Sequence, residues 1–240
     1  MPFSSAGMDL RQLLGSLRTS GEGAGRSPRE SLEWPFITIS RQAGAGGITL
    51  AQALADRLNR DYPSEHPWQC FDRELVERIA ADHHLSADLV RSLETSSHNW
   101  ITEFFGGLSH TDHATSDIAV FRRVVETVRA LAKAGHVILV GLGGMLITRD
   151  QPRGTHVRII APFEWRAKHL AMTDHLSERD ARARVKLLDS DRQAFFAKFW
   201  PGTQISSEMF HLTLNSGMMT EAEMVRCVEA LVQDRVAARL

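Results

Sequence analysis

Between residues 36 and 240, short apolar runs alternate with segments whose apolar positions recur every three or four residues. The runs predict strands at Phe36–Ser40, Gln69–Phe71, His136–Gly141, His156–Ala161 and Phe210–Leu214. The periodic segments predict helices over Ile48–Asn59, Arg73–Asp82, Ala87–Glu94, Asp117–Ala134, Phe163–Thr173, Glu178–Lys198 and Glu221–Arg239. In the first of these, Leu50, Ala51, Leu54, Ala55 and Leu58 share one face. In the long helix the face is Ile118, Phe121, Val124, Val125, Val128 and Leu131. Ser177 with Asp180, and Thr220 with Glu223, have the spacing of capping boxes. Strands separated by helices pair in parallel through crossovers, so the fold class is α/β, a sheet covered on both faces. Ligands of such sheets bind beyond the carboxyl ends of the strands.

The pattern begins only at Trp34, so residues 34–240 read as one domain. Residues 1–33 read as a flexible leader, because Thr19–Ser31 is a Gly/Ser/Arg/Glu segment. The alternative is a short amphipathic helix on Leu10, Leu13, Leu14 and Leu17 that docks a partner or the second subunit of a homodimer.

Composition narrows the classes. A net charge of −1 over 240 residues argues against non-specific nucleic-acid or membrane binding. Cys70 and Cys227 lack metal-ligand spacing and are too few for a disulfide framework, which points to a reducing, cytoplasmic setting. The longest apolar run, Val137–Ile147, is broken by glycine and too short to span a bilayer, and no secretory signal is expected.

The chemistry concentrates at Ser40-Arg41-Gln42-Ala43-Gly44-Ala45-Gly46-Gly47-Ile48-Thr49, where the first strand gives way to the first helix. Strand, glycine turn and helix start aim free backbone amides and the positive end of a helix dipole at one point, which attracts phosphate. A full phosphate loop reads GxxxxGK[ST]. With Gly46 as its second glycine, Arg41 stands at the first, Gly47 at the lysine and Ile48 at the hydroxyl, while Thr49 offers a hydroxyl one position late. Arg41 is the cation available to replace the lysine. As a dinucleotide fingerprint, Gly44-x-Gly46-x-x-Thr49 lacks the third glycine, which leaves little for an oxidoreductase. A tight turn that binds nothing is the plainer alternative.

The string Ile37-Thr38-Ile39-Ser40-Arg41 with Gly44-Ala45-Gly46-Gly47 resembles the opening of the cytidylate kinase-like family, relatives of the nucleoside monophosphate kinases that often carry a lysine-free loop. The resemblance continues through Phe71-Asp72-Arg73-Glu74-Leu75, Val137–Gly144, Val157–Arg166, Asp189–Arg192 and Leu212–Ser216. It implies a P-loop kinase-like three-layer fold on a five-stranded parallel sheet, with an acceptor-binding region at 72–135 and a lid at 163–202. It also implies ATP as donor with magnesium, and a small phosphorylated acceptor such as CMP or dCMP. The family strand usually reads GRG, and this chain has Leu142 in place of the arginine.

Phosphoryl transfer asks for cations, a metal, alignment and exclusion of water. Lys186-x-x-Asp189-x-x-Arg192 places three charges on one helix face, matching an RxxDxxR lid face with lysine for the first arginine, and Arg166 lies earlier in the lid. The resemblance therefore implies Arg41, Arg166, Lys186, Asp189 and Arg192 as catalytic residues. Ser40, Gly44, Ala45, Gly46, Gly47, Ile48 and Thr49 would bind nucleotide phosphates, and Asp72 and Arg73 the acceptor. The plainer alternatives are a solvated helix with local ion pairs and an N-capping Asp72. The clusters His83-His84 and His110-x-x-His113 lack the spacing of a zinc site, so no metal-ligand set is expected. Trp100, Phe104 and Phe105, within Ser96–Thr115, read as an aromatic anchor in a loop. The competing functional class is a catalytically weak or inactive nucleotide-binding regulatory or scaffold protein.

Overall fold

The structure, a computed structural model, describes residues 35–72, 74, 76 and 115–238. The leader 1–33, Arg73, the predicted helix Ala87–Glu94 and the histidine clusters lie outside the described residues, as do Trp100, Phe104 and Phe105.

Five strands form one sheet: β1 Phe36–Arg41, β2 Gln69–Phe71, β3 Val137–Val140, β4 Gly154–Ile160 and β5 Leu212–Asn215. Their order across the sheet is β2-β3-β1-β4-β5, and every pairing is parallel. Among the described residues the helices are α1 Gly47–Asp61, α2 Thr115–Ala134, α3 Gly144–Thr148, α4 Phe163–Asp174, α5 Glu178–Phe199 and α6 Glu221–Ala237. A 3-10 turn, Ser207–Met209, precedes β5.

The period of two along β1 sorts the core into two layers. Ile37 and Ile39 face one side, where α1 and α6 supply Leu50, Leu54, Leu58, Val225, Val228 and Val232. Phe36 faces the other, with Phe71, Leu139 and the α2 side chains Phe121, Val125, Val128 and Leu131. Both faces are therefore covered, and the apolar strand runs reflect burial on each. The expected faces of the first helix and of α2 are the buried ones, with Ile118 partly buried at the start of α2.

Two strand starts moved by two residues. β4 starts at Gly154, two residues earlier than expected, because Gly154 and Thr155 still pair with Phe36 and Ile37. β5 starts at Leu212 rather than Phe210, because the 3-10 turn occupies Ser207–Met209. α3 was not expected at all. All five of its residues are buried, so it shows no amphipathic period. Thr220 and Glu223 make the full reciprocal capping box. At α5, Ser177 accepts from the Asp180 amide, and its hydroxyl donates to the Asp180 carboxylate.

The pair α4–α5 lies at the carboxyl end of the sheet. The far end of α5 is fixed in the core, where the Phe121 ring stacks on Phe199 at 3.8 Å and meets Trp200 edge-on at 5.4 Å. Among the described residues no helix is long and apolar enough to cross a membrane.

Candidate functional site

β1 ends at Arg41, and the chain reaches α1 through a five-residue turn, with Gly44 (φ 72°) and Gly46 (φ 77°) in the left-handed region that favours glycine. The turn is held from outside. Gln42 Oε1 accepts from the Ala161 amide at 3.0 Å, and the Gln42 amide donates to the Ile159 carbonyl at 3.0 Å. The Ser216 hydroxyl donates to the Ala45 carbonyl at 3.0 Å. The carbonyl of Gly44 lies 2.9 Å from His169 Nδ1, and a carbonyl only accepts, so Nδ1 carries the hydrogen.

The amides of the turn divide into two groups. Ala43 N–H donates to Asp189 at 3.2 Å, and Ala45 N–H to the Gln42 carbonyl at 3.2 Å. Gly46 caps α1 with no side-chain hydrogen bond, and no described group accepts from the amides of Gly46, Gly47, Ile48 or Thr49. Four donors at a helix N-terminus without a protein acceptor are the geometry that holds an anion. Gly47 is buried, whereas Ile48 and Thr49 are exposed. These groups fit the phosphates of a nucleotide.

Arg41 leaves the strand end and crosses the top of β3. Its Cβ and Cγ fill the space where a Gly47 side chain would start, 2.9 Å from that Cβ position, and a Cβ at Gly141 would collide with its guanidinium. Leu142, at the family's arginine position, has φ 56° and packs partly buried against the aromatic cluster of α2 and α5. The Arg41 guanidinium thus lies over Gly141, the residue before Leu142.

The charges expected of a lid separate. Arg166 is 6% exposed, and its guanidinium donates to the carbonyls of Ala161 and Ala43, both at 3.1 Å, and to Asp189 at 2.7 Å. Asp189 therefore joins Arg166 and the Ala43 amide, a clamp that ties α4 and α5 to the glycine turn. Lys186 is exposed, with Nζ 5.9 Å from the centre of the Phe163 ring. Arg192 stands 3.7 Å from Asp189 and lines two adjoining cavities.

The smaller cavity, about 270 Å³, lies between β1, the Gly141–Gly144 turn and α5, with Leu142, Met145, Phe195 and Phe196 in its wall. The larger, about 660 Å³, lies between β1, β4 and α5. Ser40, Arg41, Arg192, Phe196 and Ile205 line both. Gly44–Thr49 line neither, nor do Lys186 and Asp72. Asp72, at the end of β2, accepts the Val76 amide on its carbonyl at 3.1 Å, so its backbone begins a helical turn.

Arg158, Gln42 and His169 were not among the expected site residues. Arg158 is the basic interruption in the otherwise apolar run Val157-Arg158-Ile159-Ile160, a visible signal of a side chain with a task at a strand end. It is half-buried, donates to the Ile205 carbonyl at 3.1 Å and lies over the Phe210 ring at 5.4 Å. Burial pushes its guanidinium pKa down from the ordinary arginine value.

A search of curated proteins gave no match. Among solved structures, an uncharacterized protein from Eubacterium ventriosum matches with a TM-score of 0.63 at 18% identity, over 83% of this chain and 98% of that one. Shikimate kinase from Bacteroides thetaiotaomicron matches at 0.44, with 15% identity over 83% of this chain and 98% of that one. Shikimate kinase from Acinetobacter baumannii, in complex with shikimate, matches at 0.45, with 15% identity over 86% and 98%. At 18% identity the likeness to the Eubacterium ventriosum protein is one of fold alone. The model of the cytidylate kinase-like family matches residues 36–218, and the chain belongs to that family.

Proposed function

We propose that the protein binds ATP through the glycine turn and transfers its γ-phosphoryl group to a nucleoside monophosphate such as CMP or dCMP, or to another small phosphorylated acceptor. The observation that carries this reading is the set of amides from Gly46 to Thr49, aimed outward without a protein acceptor at the start of α1. An acceptor phosphate oxygen forms the new bond to the γ-phosphorus as the bond to the β–γ bridging oxygen breaks, and ADP leaves. This transfer needs charge compensation and alignment more than covalent help from the protein. Arg41, at the strand end beside the turn, supplies positive charge in place of the missing lysine, and Arg192 supplies it from the lid.

Residues 163–202 act as the lid, with α4 and α5 held to the turn through Arg166 and Asp189. Arg166 and Asp189 set the shape of the turn in this reading, because their hydrogen bonds go to its backbone and to each other. Lys186 closes from solvent once the acceptor is in place, and Asp72 with Arg73 flanks the acceptor. Magnesium, when bound, would draw charge from the transferring phosphates, and the exposed Thr49 hydroxyl is the group of this chain that fits its shell.

The reading is tested by mixing the full chain with ATP, magnesium and CMP and following CDP formation. Turnover that Arg41→Ala lowers by about a hundredfold, with the thermal midpoint kept, supports it. The packing of Leu142 into the apolar cluster favours a second reading, a protein that binds nucleotide and signals its presence without transfer. Tight ATP binding with no turnover on any nucleoside monophosphate would select it.

A further inference from the structure

Helix α4 lies directly on the glycine turn. A Cβ at Gly44 would fall 2.6 Å from the Arg166 carbonyl oxygen, so nothing larger than glycine fits between the two elements there. Three residues further along α4, His169 meets the same turn. Its Nδ1–H is given to the Gly44 carbonyl at 2.9 Å, which fixes the rotation of the ring. The Trp165 indole, one turn back on α4, stacks on it with centroids 4.9 Å apart and planes inclined by 11°, which fixes the plane of the ring. Trp165 is itself packed against the core layer of α1 and α6.

The other edge of the imidazole is turned to the start of α1. A Cβ on Gly46 would lie 3.7 Å from His169 Cε1 and 4.0 Å from Nε2, so Nε2 stands beside the first of the four outward amides. A neutral imidazole donates from one nitrogen and accepts at the other. With its hydrogen committed to Gly44, Nε2 is an acceptor, and among the described residues no group donates to it. Phosphate oxygens are acceptors too, so Nε2 cannot bond the anion that those amides would hold. It calls for a donor elsewhere on the same ligand. In a nucleotide the donors joined most directly to the phosphates are the ribose hydroxyls, and the amino group of the base is farther away.

We infer that His169 Nε2 accepts a hydrogen bond from a ribose hydroxyl of the nucleotide held at the glycine turn, and so selects ribonucleotides over deoxyribonucleotides there. The inference rests on the nucleotide reading above and adds a specificity-determining residue to it. A carbonyl and an indole hold the ring before any ligand arrives, so little ordering is needed on binding. A nucleotide without the hydroxyl leaves Nε2 facing the ligand with no donor. A site built to hydrogen-bond a hydroxyl rejects the analogue that lacks it for this reason.

The full chain is titrated calorimetrically with magnesium and ADP, 2′-deoxy-ADP, 3′-deoxy-ADP or inosine diphosphate, at pH 8 to keep imidazole neutral. ADP should bind about three- to tenfold tighter than one of the two deoxy analogues, the loss of one neutral hydrogen bond. His169→Asn keeps a donor near the place of Nδ1 and removes the Nε2 acceptor. It should keep the thermal midpoint and bring ADP and that deoxy analogue to within about twofold of each other. His169→Gln carries an amide oxygen to the place of Nε2, and should keep the preference at a lowered thermal midpoint. A preference absent in the wild type, or unchanged in His169→Asn, overturns the inference. So does a preference lost equally in both variants, since the ring would then act only by holding the turn. A ratio of ADP to inosine diphosphate affinity that changes in His169→Asn, with the deoxy preference unmoved, puts the donor on the base and overturns the hydroxyl assignment. If none of the four binds the wild type, the nucleotide reading itself falls and takes this inference with it.

Discussion

The side chain of Arg41 occupies the place where a side chain on Gly47 would begin: a Cβ added there would lie 2.9 Å from both Cβ and Cγ of Arg41. The two positions are therefore one unit. In a lysine-bearing loop the cation rises from the residue at 47; on the proposed function it comes here from the strand end, and glycine at 47 makes room for it. On the proposed function, the loop is a rearranged phosphate loop rather than an eroded one.

Gly47→Lys is accordingly expected to harm the protein rather than restore the missing group. Overpacking against the stem of Arg41 should cost about 1–3 kcal/mol in a urea titration. Adding Arg41→Ala to Gly47→Lys should return a large part of that loss, since residues in contact are non-additive. Strict additivity of the two substitutions would show that the side chains do not compete for the same space.

Asp189 and Arg166 form a clamp on the glycine turn, 2.7 Å apart, with the Ala43 amide as third member. Arg166 is 6% exposed, so Asp189→Ala would leave a buried cation without its partner, at a cost of roughly 2–3 kcal/mol. Arg166→Met should cost less than Asp189→Ala, because it removes the charge that needs compensation and leaves the half-exposed Asp189 to water. Equal thermal midpoints for Asp189→Ala and wild type would mean that the clamp contributes nothing to the folded state.

Acid stability should depend on His156, which is buried under the Thr38 hydroxyl at 2.8 Å from its Nδ1. Burial first, then the neighbouring His211 and Arg235, pushes His156 down from 6.5 to about 4. The half-buried His136 is lowered as well, again chiefly by burial. A group whose folded value is depressed takes up protons more readily when unfolded. Its stabilisation is therefore complete above pH 6.5 and is lost as the pH falls toward 4, by about 3 kcal/mol for His156. Urea midpoints measured between pH 7.5 and 4.5 should fall more steeply for wild type than for His156→Gln. Identical pH slopes would contradict the assignment.

The two thiols should differ in reactivity. Cys227 is exposed, whereas the Cys70 thiol donates to the Ala51 carbonyl at 3.1 Å and is pushed up to about 12, chiefly by burial. Native protein treated with a disulfide reagent at pH 8 should release one equivalent quickly and the second only on unfolding. Two fast equivalents in the native state would contradict this.

Much of the fold was legible because buried parallel strands read as unbroken apolar runs, so Gln69–Phe71 was located to the residue and β1 to within one. α3 escaped because glycines at 141, 143 and 144 resemble a broken strand end, and a fully buried single turn has no polar face to set its period. At the site, the glycine turn was visible from its own composition. The partnership of Arg166 with Asp189 was not, since it joins two helices across 23 residues of sequence, while the helical spacing of Lys186, Asp189 and Arg192 speaks only of neighbours on one helix. Arg158 was visible as a charge inside an apolar run, but only the fold puts it in the same cavity wall as Arg41 and Arg192.

The account depends most on the anion cradle formed by the amides of Gly46, Gly47, Ile48 and Thr49, and a crystal structure of the protein with magnesium and a non-hydrolysable ATP analogue tests it directly. The predicted result is a β-phosphate with its oxygens within hydrogen-bond distance of those amides and Arg41 beside it. A triphosphate lodged elsewhere, with the four amides bonded to groups of the protein, would contradict it.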